Sequence, residues 1–154
     1  MNASNKKILP ADVFVSVFGG EPTDAELWKD VTINDSGNRN SGNEFIDRFA
    51  ALIRKYQKMA LLFYAKKMDV KPVELLMTVK VSSGITARDW LNDYLNLEAR
   101  DLLENSDKSI KEIARFLNFS QSAFCQFFVR INKCSPYEWR MFKKYGKKIR
   151  YNYV

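Results

Sequence analysis

Residues 64–91, YAKKMDVKPVELLMTVKVSSGITARDWL, lie over residues 113–140, IARFLNFSQSAFCQFFVRINKCSPYEWR, at a constant offset of 49 and without a gap. Ala65 meets Ala114, Met68 meets Leu117, Val70 meets Phe119, Leu75 meets Phe124, Val79 meets Phe128, Thr86 meets Ser135, Asp89 meets Glu138 and Trp90 meets Trp139. Apolar positions match apolar positions and capping residues match capping residues, as two copies of one supersecondary unit require. Only two copies fit and a basic tail follows them, which favours a paired unit over a solenoid.

Working outward, helix signals continue on both sides of each copy. Ser41 and Glu44 are placed to cap a helix whose apolar face carries Phe45, Phe49, Leu52, Ile53 and Tyr56. A second helix is expected over Ala60 to Lys67, and Pro72 suits the first position of a third, which Gly84 can stop in the left-handed conformation. Thr86 with Asp89 caps a long segment to about Glu104. Ser109 with Glu112 caps the next helix, Ser120 the one after it, and Ser135, Pro136 and Glu138 open the last. The fold class expected is mainly α, with about seven helices from Phe45 onward and no sheet there. Before it, Val13 to Phe18 suits a short strand or a helix after Pro10, and Thr23 with Glu26 a short helix through Trp28. The polar stretch Asn34 to Asn43 reads as a linker.

Composition sets several classes aside. Residues 1–44 carry 4 basic and 7 acidic groups, leaving 21 basic and 11 acidic groups in residues 45–154. That imbalance suggests a polyanion partner for the later part, against the plain alternative of a solvated basic surface. There is no histidine, and Cys125 and Cys134 cannot complete a four-ligand zinc site. No nucleophile–base constellation or glycine-rich phosphate loop is present, so neither enzyme activity nor a cofactor or metal is expected. No apolar run approaches a membrane span, and the chain is expected to be cytoplasmic with free thiols.

Each copy has a short helix, a tight turn, a second helix with an exposed face and a capped entry into a further helix carrying Trp, the layout of a helix-turn-helix. At these residues the chain resembles the DNA-binding domain of AraC/XylS-type transcriptional regulators. The likeness rests on Phe63, Tyr64, Ala65 and Lys67; on Trp90, Glu98, Ala99, Leu102 and Leu103; and on Ser109, Ile110, Glu112, Ile113 and Ala114. It continues through Leu117, Asn118, Phe119, Ser120, Gln121, Ser122, Phe124 and Phe128 to Ser135, Pro136, Glu138, Trp139 and Arg140. The resemblance implies homeodomain-like subdomains over residues 45–144: a first unit at about 60–84, a linker helix at about 86–104 and a second unit at about 109–133. Residues 1–44 would be a short N-terminal segment and linker, and 145–154 a basic-aromatic tail. About 19 helical residues span roughly 28 Å, comparable with one turn of DNA.

The partners implied are double-stranded DNA and, as a candidate second partner, RNA polymerase. In the second unit Phe124, Phe127, Phe128 and Ile131 would be buried, leaving Gln126 to offer a bidentate amide to adenine and Arg130 to reach guanine or phosphate. Ser120, Gln121 and Ser122 sit at the helix start, where phosphate contacts are favoured. Lys111, Lys143 and Lys144 complete the expected DNA contacts of this half, while Lys147, Lys148 and Arg150 continue the basic run among Phe142, Tyr145 and Tyr151. Cys125 falls on the exposed face without a base to activate it.

The first unit departs from the family. With Leu75, Val79 and Ser82 inward, its exposed face presents Val73, Leu76, Met77 and Lys80, and apolar groups cannot read hydrogen-bond patterns. It would either dock through Lys71, Lys80 and helix termini or be covered, with Val13 to Phe18 a candidate cover within the chain or across a dimer. In the second unit, relatives often have one more residue between Phe119 and Gln121 and a glycine at Lys133, so Asn132 is expected to take the left-handed position. The function expected is a sequence-specific regulator of this type without a full effector domain, its second unit dominating base readout. The alternative, from a different class, is a protein-interaction or architectural module that keeps the fold with little sequence preference.

Overall fold

The computed structural model describes residues 6–18 and 34–147. Among them are eight helices: α1 (Pro10–Val13), α2 (Glu44–Tyr56), α3 (Leu61–Lys67), α4 (Pro72–Ser83), α5 (Ala87–Asn105), α6 (Ile110–Phe116), α7 (Gln121–Asn132) and α8 (Pro136–Tyr145). Seven lie from Glu44 onward, as the capping signals predict. The Thr23–Trp28 helix and the tail from Lys148, which includes Arg150 and Tyr151, fall outside the described residues.

The repeat extends to individual backbone hydrogen bonds. Val70 N donates to Ala65 O at 3.0 Å and Phe119 N to Ala114 O at 2.8 Å; Asp69 N donates to Lys66 O and Asn118 N to Arg115 O, both at 3.1 Å. Asp69 and Asn118, at φ 57° and 66°, hold the same left-handed turn. Asp and Asn tolerate that conformation better than most side chains, which is why both turns survive without glycine.

Helix α4 stops at Gly84 (φ 82°) and α7 stops at Lys133 (φ 64°). The expectation that Asn132 would take the second of these positions is therefore corrected. Asn132 stays helical because its amide is engaged elsewhere: its Nδ2 donates to Asn96 Oδ1 at 2.7 Å and to Phe128 O at 3.1 Å. The left-handed residue falls one place later and costs about 1 kcal/mol for a side chain with a Cβ.

The chain divides into two compact units, one ending at Tyr94 and one beginning at Leu95. The core of the first is aromatic. Phe49 lies 5.5 Å from both Tyr64 and Trp90, and Trp90 stacks on Tyr94 at 6.0 Å. The face of α2 is centred on Ile46, Phe49, Ala50 and Ile53, with Phe45, Leu52 and Tyr56 half-buried at its margins. Its cap is Asn43, whose side chain accepts from Ile46 N, in place of Ser41; the Ser41 N–H is itself taken by the Asp47 carboxylate at 3.0 Å. On α4, Leu75 and Val79 are buried as expected, but the inward serine is Ser83, whose hydroxyl donates back to Val79 O, while Ser82 is half-buried and accepts from Asn43 Nδ2.

The N-terminal residues pack onto this core. Trp90 Nε1 donates to Ile8 O at 2.9 Å, Ile8 N to Ser82 O at 2.9 Å, and Arg39 N to Val13 O at 2.8 Å. A short helix does follow Pro10, at Pro10–Val13, but it ends where the Val13 to Phe18 run begins: Phe14 is extended, residues 17–18 form a turn, and residues 14–18 are neither strand nor helix. The stretch expected as a linker folds against the same core: Asn38 is 1% exposed and its Oδ1 accepts from Tyr94 OH at 2.6 Å. Arg54 ties these pieces together, donating to Tyr94 OH at 2.8 Å, Val15 O at 2.7 Å and Gly37 O at 3.4 Å.

In the second unit Leu95, Ala99, Leu103, Ile113, Leu117, Phe124 and Phe128 are fully buried, and each large side chain contributes about 1.5–3 kcal/mol by leaving water. Helix α8 closes on the end of α5. Arg140 donates to Leu103 O at 3.0 Å and Ser106 O at 3.2 Å, and Lys144 Nζ reaches Ser106 O at 2.8 Å. These are carbonyls at and just past a helix C-terminus, where cations are favoured.

Candidate nucleic-acid interface

Helix α7 carries most of the expected contacts of the second unit. Its cap, Ser120, accepts from Ala123 N at 3.1 Å, which orders the first turn and leaves Gln121 and Ser122 exposed on it. Phe124, Phe127 and Phe128 are buried and Ile131 is half-buried, which turns Gln126 and Arg130 outward; both are exposed. Cys125, Gln126, Val129 and Arg130 line a shallow groove of about 380 Å³. Burial pushes the Cys125 thiol above its ordinary pKa, so the residue stays a protonated, weakly polar surface group.

The corresponding face of α4, 49 residues earlier, is different chemically. Val73 replaces Ser122, Leu76 replaces Cys125, Met77 replaces Gln126, Lys80 replaces Val129 and Val81 replaces Arg130. Met77 is 62% exposed and Val81 71%. Leu76, Met77, Lys80, Val81, Thr86 and Ala87 border a groove of about 550 Å³. The idea that Val13 to Phe18 covers this face within the chain is corrected: Val13 is buried, Phe14 packs 5.6 Å from the Tyr94 ring, and Val17 and Phe18 are themselves exposed. Sequence reasoning missed Val81, although the offset of 49 sets it directly against Arg130.

The basic residues separate into committed and available groups. Lys80 Nζ donates to Gly84 O at 3.0 Å, across the end of its own helix. Lys144 is the more fully engaged, its ammonium 2.7 Å from Asp107 Oδ1. That bond and the Lys144 charge hold the Asp107 carboxyl below its usual pKa. Lys143 is exposed, its Nζ 5.1 Å from the Trp139 ring, which Arg100 also faces at 4.2 Å. Lys71, at the cap position of α4, and Lys111, on α6, are exposed. The structure thus brings Ser120, Gln121, Ser122, Gln126 and Arg130 together on one helix, with Lys143 and Lys144 on α8 of the same unit, while Lys71 and Lys80 stand in the first unit.

A family model described as a helix-turn-helix domain, of the AraC type, matches residues 64–141, which span both units. The regulatory protein PocR of Salmonella typhimurium is 35% identical over 77 residues, a match covering 49% of this chain and 25% of PocR. The chain therefore aligns with about a quarter of that relative's length. Among solved structures, the C-terminal domain of AraT, a response regulator from Geobacillus stearothermophilus, superposes with a TM-score of 0.61 at 24% identity, covering 75% of this chain and 94% of that one. The DNA-binding domain of AdpA, a global transcriptional factor solved in complex with a target DNA, gives a TM-score of 0.58 at 23% identity, covering 69% and 99%. The C-terminal domain of the response regulator yesN from Fusobacterium nucleatum gives 0.58 at 20%, covering 64% and 99%. At these identities the structural likeness establishes the fold.

Proposed function

The chain belongs to the AraC-type helix-turn-helix family, and we propose that it is a sequence-specific double-stranded DNA-binding transcriptional regulator in which the second unit dominates base readout. The observation that carries this is the pairing of Gln126 and Arg130, both exposed on α7, against Met77 and Val81 at the equivalent places on α4. An amide can donate and accept at once toward adenine, and a guanidinium can bridge guanine O6 and N7; each good pair discriminates by about 1–3 kcal/mol. Met and Val can only touch thymine methyls. Ser120, Gln121 and Ser122 at the α7 start, with Lys111 and Lys143, supply phosphate contacts that set the register of that helix. In the first unit, Lys71 and Lys80 contribute charge without sequence information.

The exposed apolar face of α4 favours the second reading, a module that keeps the fold for architecture or protein contact. Competition separates the two. A labelled site selected from a random duplex pool should be displaced far better by itself than by random duplex, since specific regulators prefer their sites by about 10³-fold or more. Equal displacement would leave the architectural reading standing and remove the regulator.

A further inference from the structure

The ends of α2 and α3 bring two lysines to one tyrosine. Lys55 Nζ and Lys67 Nζ each lie 5.2 Å from the centre of the Tyr56 ring, and Lys67 also lies 5.6 Å from Phe63. The Tyr56 ring is set in place by Phe63, edge to face at 5.0 Å. Among the described residues neither ammonium has a carboxylate within 4.0 Å. Burial raises the Tyr56 phenol, but the charges of Lys55 and then Lys67 outweigh this and bring its pKa below the ordinary value.

Each lysine occupies the last turn of its own helix, where the carbonyl ends attract cations. That accounts for the two residues separately and not for both ammoniums lying beside one ring with no carboxylate to pair them among the described residues. A bound anion would balance that charge. A phosphodiester fits: it carries one negative charge, its two free oxygens can each accept from an ammonium, and the phenol O–H adds a third donor.

Nothing comparable stands in the second unit, where the positions 49 residues later are Glu104, Asn105 and Phe116. Lys55 and Tyr56 also precede the 64–141 stretch that matches the family. The cluster is thus a feature of the unit whose α4 lacks groups to read bases. We propose that Lys55, Tyr56 and Lys67 form a cradle for one backbone phosphate of the bound duplex, giving the first unit a grip that is independent of sequence. This rests on the DNA-binding function proposed above.

The test is the salt dependence of binding to a random duplex by the full chain. Neutralising one phosphate contact lowers the slope of log affinity against log salt by about 0.9. Lys67→Gln, and likewise Lys55→Gln, should flatten the slope by up to that amount, whereas Lys66→Gln, an exposed neighbour on the same helix with the same charge, should change it by less than half as much. Tyr56→Phe keeps the ring and removes a neutral donor; it should weaken binding about three- to tenfold with the slope unchanged. Equal slopes for Lys66→Gln and Lys67→Gln, or full affinity in Tyr56→Phe, would overturn the cradle while duplex binding persists. Absence of duplex binding by the unaltered chain would instead overturn the DNA-binding function, and this use of the cradle with it.

Discussion

Lys133 holds the left-handed position that Gly84 holds 49 residues earlier, and each N–H closes its helix on the carbonyl four residues back, Val129 O and Lys80 O, at 2.8 Å. The same backbone is therefore reached by a glycine in one unit and against a Cβ in the other. Lys133→Gly should stabilise the protein by about 0.5–1 kcal/mol, and Gly84→Ala should destabilise it by about 1 kcal/mol. Denaturant midpoints measured at constant slope would check both signs.

Arg54 is the fastening of the N-terminal pieces to the first unit. Arg54→Ala removes its bonds to Tyr94 OH and Val15 O and should cost about 2–3 kcal/mol. Hydrogen exchange should then accelerate at Arg39 N, whose acceptor Val13 O belongs to the released segment, while amides of α6 and α7 keep their protection.

Hydrogen bonds from the Ser109 backbone and side chain hold the Glu112 carboxyl below its ordinary pKa of 4.5. A depressed folded pKa contributes stability that is present above the unfolded value and lost as pH falls through the folded one. Glu112→Gln should therefore reduce the loss of stability on acidification below about pH 4.5, as measured by urea unfolding at pH 7 and pH 3. An unchanged difference between the two pH values would show that the capping box adds nothing there.

In the basic helix α8, Lys144 is already neutralised by Asp107 and Lys143 is not. Lys143→Gln should flatten the salt dependence of DNA affinity by up to about 0.9 in slope, with sequence preference preserved. Lys144→Gln should alter the slope less and stability more, because it also leaves Ser106 O without that donor.

Much of this architecture is legible in the sequence because it is local. Capping residues fix helix starts within a residue at Pro72, Ala87, Ile110, Gln121 and Pro136, and the offset of 49 predicts matching turns at Asp69 and Asn118. What sequence left hidden depends on contacts distant along the chain. Nothing near Asn38 announces that Tyr94, 56 residues later, will bury it, and nothing near Asn132 announces Asn96, whose hold on its amide moves the left-handed residue to Lys133. At the candidate interface, the outward face of α7 follows from its phenylalanine spacing. The commitment of Lys144 to Asp107, by contrast, required knowing where α5 ends.

The most direct test of the division of labour between the units is a titration series on a site selected from random duplex. Gln126→Ala and Arg130→Ala should each weaken binding to that site by about 5- to 150-fold, with far smaller losses on random duplex, while Met77→Ala and Lys80→Ala cost markedly less on the selected site. Equal losses from the two pairs would contradict it.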